Sequence, residues 1–357
     1  MKSLTNIFCG VFLILLFQSS HYHSLASSPV RLQCEYLVNP LGIDVMNPRF
    51  SWKSDTDRRG AFQTAYELIV GTDSQEVSSG KGNVWQSGEV TSSLVPVVYN
   101  GPVLKPFTRY YWGVKIKDEK GEWSDWSETS FFETGMMGQN NWKGSWITDT
   151  YDFNLKPAAC FRKSFNLEES VKSARAYIAV AGLYELYVNG NRIGNHRLDP
   201  MYTRFDRRTL YVTYDITNYL RKGENVVGVI LGNGWYNHQS TAVWYFDKAP
   251  WRARPKFCLD MRIIYGEGKE ETICSGDDWK TTTGPIIFNS IYTGEHYDAR
   301  LEKPGWNNAG FDDSSWKKVL LTGAPSGNIV AESLHPIRNV EEIPAIKVTQ
   351  QDPLTWL

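Results

Sequence analysis

After its first 26 residues the chain alternates apolar and polar positions in short runs broken by turn residues. A period of two predicts half-buried β-strands, with few places for a helix. Between residues 29 and 135 the candidates are RLQCEYLV, RFSWKS, AYELIVGT, VWQSGEV, SLVPVVY, RYYWGVKIKD and ETSFFETG, separated by NPLG, NGP and EKGE. About seven short strands in about 105 residues is the pattern of an immunoglobulin-like or fibronectin type III-like sandwich. In the sixth run Trp112, Val114 and Ile116 alternate inward, and Tyr110 or Tyr111 stands where a tyrosine corner would sit.

From 157 to 335 the strands lengthen. ACFRKSFNL and ARAYIAVAG come first, then LYELYVNGNRIG with Asn189-Gly190 at a hairpin tip. TLYVTYDIT, ENVVGVILG, KFCLDMRII and ETICS follow, with a short helical turn in ITNYLRKGEN ending at Gly223. Long strands with glycine-rich corners point to a jelly-roll sandwich, of the galactose-binding-like kind. The fold class expected is therefore all-β: two sandwiches, with residues 136–156 as a linker. Residues 336–357 read as the truncated start of a further β-domain.

The opening residues differ from the rest. Lys2, an apolar run from Ile7 to Phe17 and Ser24-Leu25-Ala26 have the form of a secretory signal, residues 1–26. That run is too short to span a bilayer, and no other run is longer. The expected location is therefore periplasmic or extracellular. A net charge of −1 with interspersed signs favours neither nucleic acid nor an anionic membrane. Of the 5 cysteines, Cys9 falls in the leader, and Cys34, Cys160, Cys258 and Cys274 show no metal-ligand spacing. Cys258 and Cys274 flank a turn near Gly266, so a cross-strand disulfide and two packed free thiols both stay open.

WSDWS, 123–127, matches the W-S-x-W-S box of cytokine-receptor fibronectin modules. Its Trp rings can sandwich cations of a neighbouring strand, with Arg109, Lys115 and Lys117 at hand. It supports a fold, not a function.

Two stretches carry candidate chemistry. GEHYDAR, 294–300, holds Glu295, His296, Asp298 and Arg300. In an extended segment 295 and 298 face opposite ways, a poor acid/base pair, and Asp298 reads as a turn former or partner of Arg300. LGNGWYNHQS, 231–240, puts Trp235, Tyr236, Asn237 and His238 on a loop after a glycine bend. A ring with amide and imidazole groups suits sugar recognition; an aromatic plug closing the sandwich end is the plainer reading. The loop at 244–251 adds further aromatic and basic residues. No phosphate-cradling, serine-hydrolase or zinc-protease motif is present.

YELYVNGNRIG, LDPMYTRFDRRTLYVTYDITNYLRKGENVVGVILGNGWYN and YTGEHYDAR, in that order, resemble the N-terminal region of bacterial α-L-rhamnosidases, glycoside hydrolase family 78. NPLGIDVMNPRFSWKSDTDRRGAFQTAYELIVGT and FFETG resemble the fibronectin-like module that opens those enzymes. The resemblance implies an accessory region of an inverting hydrolase of terminal α-L-rhamnose, with acid and base on an (α/α)6 barrel supplied in cis or by a split gene. It implies no catalytic residue in this chain. GEHYDAR would then line the cleft or brace the barrel. SWITDT runs almost directly into ACFRKSF, leaving no room for the family's inserted calcium-dependent rhamnose-binding domain, so no metal or cofactor is expected. A rhamnose-containing glycan is the expected ligand. A stand-alone secreted carbohydrate-binding or adhesion protein and a purely structural scaffold are the alternatives.

Overall fold

The computed structural model describes residues 27–241, 244–353 and 355–356. The signal expected at 1–26 lies outside the described residues. Seven strands build the first sandwich: β1 (Ser28–Cys34), β2 (Arg49–Asp55), β3 (Gln63–Gly71), β4 (Trp85–Gln86), β5 (Val97–Val98), β6 (Arg109–Asp118) and β7 (Ser130–Glu133). They form two sheets, β1-β2-β5 and β4-β3-β6-β7. One short helix, α1 (Ser74–Ser78), was not expected; Asp73 caps it by accepting from Gln75 N and Glu76 N. Along β6 the side chains of Tyr110, Trp112, Val114 and Ile116 are all buried, and Phe50 from the facing sheet meets the Trp112 ring at 4.6 Å.

The tyrosine corner falls to Tyr110, whose hydroxyl accepts from Lys105 N at 2.9 Å. In the tryptophan box one cation reaches both rings: Lys115 Nζ lies 4.7 Å from the Trp123 ring and 5.3 Å from that of Trp126. Lys117 approaches Trp123, whereas Arg109 lies over Phe131 instead. The two box serines stand in for a strand partner, accepting from Ile116 N and Val114 N.

The second sandwich opposes two larger sheets. In chain order its strands are β8 (Ile147–Thr148), β9 (Ala159–Leu167), β10 (Val171–Ala181), β11 (Leu183–Val188), β12 (Asn191–Arg192), β13 (His196–Arg197), β14 (Arg208–Asp215), β15 (Gly223–Gly232), β16 (Lys256–Tyr265), β17 (Glu270–Cys274), β18 (Lys280–Thr283), β19 (Ile286–Ser290), β20 (Gly294–Tyr297), β21 (Lys317–Lys318), β22 (Leu320–Leu321), β23 (Asn328–Ala331) and β24 (Ile337–Arg338). One sheet runs β22-β8-β16-β10-β14-β23 with β17 on β16; the other runs β12-β11-β15-β9-β18-β21. Phe161, Ile178, Val229, Phe257 and Trp279 pack between them. Asn189 and Gly190 both take positive φ, 48° and 82°, as the tight β11–β12 turn requires.

The stretch expected as a linker is ordered. It supplies β8, and Met136 and Trp146 bury against Tyr177 and Tyr211 on the outer face of β10 and β14. This second packing layer explains why Ala176 through Ala181 are buried on both faces of β10. The two sandwiches also share polar contacts. Arg175 donates through Nε to Glu133 Oε1 at 2.6 Å and through Nη2 to Oε2 at 3.1 Å. Tyr211 donates to Asp44 at 2.6 Å and accepts from Met136 N at 2.9 Å.

Of the two arrangements the sequence leaves open, the structure shows no cross-strand disulfide. Cys258 and Cys274 are free thiols, because the turn is folded one position later than a centre at Gly266 would place it. Cys274 therefore faces Asp260, leaving Cys258 two positions away in register. A disulfide needs Cβ atoms about 3.8 Å apart, and diagonal neighbours are farther than that.

Candidate functional site

Both candidate stretches converge at one end of the second sandwich. β15 ends at Gly232, and the chain bends through Asn233 and Gly234, whose φ is +51° and whose absent Cβ would press on Leu183. Asn233 fixes the bend by donating from its backbone N to Asn289 Oδ1 at 2.6 Å and from Nδ2 to Asn289 O at 3.1 Å. Asn289 belongs to β19, so the loop after β15 is tied to the β19–β20 hairpin that precedes Asp298. At the hairpin tip the Tyr292 ring stands 5.6 Å from Trp235 and 5.7 Å from His238.

Within the loop the four expected residues divide. Tyr236, Asn237 and His238 are buried, as an aromatic plug requires. Asn237 donates to Phe153 O and Asn233 Oδ1 and accepts from Arg252 Nε, so its amide is spent on structure. His238 is 1% exposed, and neither ring nitrogen has a hydrogen-bond partner. Burial, and then the Arg252 charge, hold its pKa below the ordinary histidine value, so the ring is neutral near pH 7. Trp235 is half-buried among Tyr202, Phe246, Tyr292 and His238. Tyr202 and Phe246 extend the cluster the sequence suggested; Tyr202 lies about thirty residues before Trp235, beyond the reach of any local pattern. Beside the cluster Trp244 is 77% exposed and Tyr245 71%, the outermost aromatic groups of this end. Both hold positive φ, a costly backbone for bulky residues.

The GEHYDAR residues are exposed from Gly294 to Tyr297. His296 meets Phe288 across the hairpin, with tilted rings 5.0 Å apart. Asp298 caps the turn Ala299–Leu301 by accepting from Arg300 N, and its carboxylate receives Arg300 Nε at 2.8 Å and Nη2 at 2.6 Å. These bonds from Arg300 hold Asp298 below the usual carboxylate range, so it carries no proton to donate near neutral pH. Glu295 sits on β20, apart from that pair, on the wall of a groove that also contains Arg197 and Leu198. The stretch thus offers a capped turn and an exposed rim, not a general acid facing a general base. Among the described residues no group of three or more His, Cys, Asp and Glu is placed to hold a metal ion. Among them, too, no helix is long and apolar enough to cross a membrane.

Residues 169–341 match the α-L-rhamnosidase N-terminal domain, and residues 29–138 match the Rha78A-like N-terminal immunoglobulin domain. An α-L-rhamnosidase of Formosa agariphila is 34% identical over 346 residues, covering 89% of this chain and 36% of that protein. An α-L-rhamnosidase structure from Dictyoglumus thermophilum superposes with a TM-score of 0.83 at 40% identity, over 93% of this chain and 38% of that one. The Streptomyces avermitilis enzyme, solved with L-rhamnose, also gives 0.83, at 25% identity, over 92% of this chain and 48% of that one. This chain spans less than half the length of each of these relatives.

Proposed function

The chain belongs to the α-L-rhamnosidase family, as its N-terminal region, and from that premise we propose that it is a non-catalytic accessory region. The parent reaction is the inverting hydrolysis of terminal α-L-rhamnose from glycans. Inversion needs two carboxyl groups roughly 6.5–9.5 Å apart, one protonated and one not. The observation that carries the reading is Asp298: its carboxylate is spent on Arg300 and on its own turn, so the most site-like stretch of the chain lacks an acid/base pair. Acid and base then reside on an (α/α)6 barrel, in cis or on a separate polypeptide, and the end built by Trp235, Tyr292 and the 294–300 stretch braces it or borders its cleft. In this reading residues 1–26 direct export, 29–135 and 157–335 are the two domains joined by 136–156, and 336–357 leads into the next one.

A stand-alone carbohydrate-binding protein is the second reading, favoured by the exposure of Trp244 and Tyr245. Turnover of an aryl α-L-rhamnoside tests the first. The 357-residue chain is expected to give none, while a chain carrying the barrel turns over and keeps its kcat after Asp298→Asn. Turnover by the 357-residue chain that Glu295→Gln or Asp298→Asn abolishes would refute the accessory role.

A further inference from the structure

Next to the aromatic end, the outward face of the β12-β11-β15-β9-β18-β21 sheet is not flat. On β11 Tyr184 and Leu186 point into the core, so Glu185 and Tyr187 point out. The β19–β20 hairpin pairs with neither main sheet and stands over this face as a wall. Farther along, Trp306 lies against the sheet where β15 has Gly228; a Cβ there would sit 2.6 Å from its ring. Two cavities result, of about 370 Å³ and 570 Å³. They share Ala158, Glu185, Ile230 and Ile286 as lining, so they are successive parts of one groove. Each falls within the range of small-molecule sites, roughly 300–1,000 Å³.

We propose that this groove binds an uncharged oligosaccharide, lying along β11 and β15 between the β19–β20 hairpin and the segment around Trp306. Three features select that class of ligand. The charges are balanced: Glu185, Glu295 and Glu302 face Arg192, Arg197 and Lys303. A charged ligand would meet as much repulsion as attraction, whereas a polyhydroxyl chain uses carboxylates as acceptors and cations as donors along its length. The apolar surface is aromatic at one end, where the Tyr187 and Trp306 rings meet edge to face at 5.5 Å. Such rings cover the C–H faces of a pyranose at little entropic cost. The central carboxylate is held before any ligand arrives: Tyr187 Oη donates to Glu185 Oε2 at 2.5 Å and Arg192 Nε to Oε1 at 2.9 Å. The extended, continuous shape asks for several sugar units and not a single one. The site contains neither Asp298 nor the Trp235 cluster. It requires no turnover, so it stands or falls separately from the accessory role.

Calorimetric titration of the 357-residue chain tests it, with uncharged tri- and tetrasaccharides of L-rhamnose, galactose, glucose and xylose, and trigalacturonate as the anionic contrast. At least one uncharged oligosaccharide is expected to bind, more tightly than its monosaccharide and than trigalacturonate. Arg197→Ala and Glu302→Gln should each weaken that binding about tenfold, through a lost charge-assisted hydrogen bond. Tyr297→Ala, at an exposed ring beside Glu302, should weaken it without threatening the fold. Trp244→Ala should leave it unchanged. The proposal is overturned if no uncharged oligosaccharide binds, if trigalacturonate binds best, or if Trp244→Ala abolishes binding that all three groove variants retain.

Discussion

Removing the ion pair between the sandwiches should cost more than any surface pair in the molecule. Glu133 and Arg175 retain 7% and 13% of their side-chain exposure, and two hydrogen bonds join them. Breaking a pair this buried by deleting one partner typically costs about 3–5 kcal/mol, since the remaining charge is stranded. Here the stranded groups keep some company. Without Glu133, Arg175 still reaches Asp215 at 3.0 Å, a partner nearly half exposed. Without Arg175, Glu133 still accepts from Arg109 Nε at 3.1 Å. The expectation is therefore about 2–4 kcal/mol for Glu133→Ala and about 2 kcal/mol for Arg175→Met, with a coupling of about 2 kcal/mol in the double-mutant cycle. Urea denaturation followed by tryptophan fluorescence measures all four proteins. Because the pair bridges the sandwiches, the single variants should also separate a shared unfolding transition into two. A coupling below about 0.5 kcal/mol, the scale of an exposed pair, would refute the claim that this contact fixes the sandwiches to each other.

Glu332 offers a pH test. Burial, and then the nearby Asp199 charge, push its pKa up to about 7, and its Oε1 and Asp199 Oδ1 are both buried without a hydrogen-bond partner. The folded chain thus binds this proton more tightly than the unfolded one, whose glutamate titrates near ~4.3. The stabilisation is complete below ~4.3 and is lost as pH rises through about 7, so Glu332→Gln should flatten that part of the stability profile. Wild-type and variant urea midpoints that run parallel from pH 5 to 8 would contradict this. The thiols give a second test: burial raises the pKa of all four, that of Cys160 to about 12, but Cys274 is only half-buried while Cys34, Cys160 and Cys258 are fully buried. Of these four, a thiol reagent should modify Cys274 in the native chain and the other three after unfolding, and an intact Cys258–Cys274 disulfide on a non-reducing peptide map would overturn the free-thiol assignment.

Period and punctuation are local signals, and what they specify could be read from the sequence. All seven runs in the first block became strands because each alternates over its own length and ends in its own turn residues. Asn189-Gly190 announced its hairpin for the same reason. The Tyr110-or-Tyr111 ambiguity was also local, and burial resolves it: Tyr110 faces the core beside Trp112, so only its hydroxyl can return to Lys105. The small helix α1 escaped because five residues hold too little of a helical period to stand out from strand alternation. The choice between a Cys258–Cys274 disulfide and free thiols stayed open for a related reason: a shift of one residue in the turn moves every partner across the hairpin, and the glycines at 266 and 268 each permit a turn.

What the sequence could not disclose is which distant stretches share a wall. The loop after β15 and GEHYDAR lie about sixty residues apart, and each was weighed alone, one as a plug and one as a turn. They are one structure because Asn233 donates two hydrogen bonds to Asn289, and neither asparagine carries a signal that separates it from an ordinary loop residue. The groove is less legible still. Glu185 looks like the solvent-facing half of a regular alternation, and it is, but a hairpin and a tryptophan from beyond residue 285 flank it and make its face a groove. Binding surfaces on β-sandwiches are made this way, by long-range covering of strands whose own patterns record only which face meets the core. The polar residues worth testing are therefore not those in the most site-like string. Asp298 and Arg300 satisfy each other, whereas Arg197, Glu295 and Glu302 become neighbours of one cavity system only through the fold.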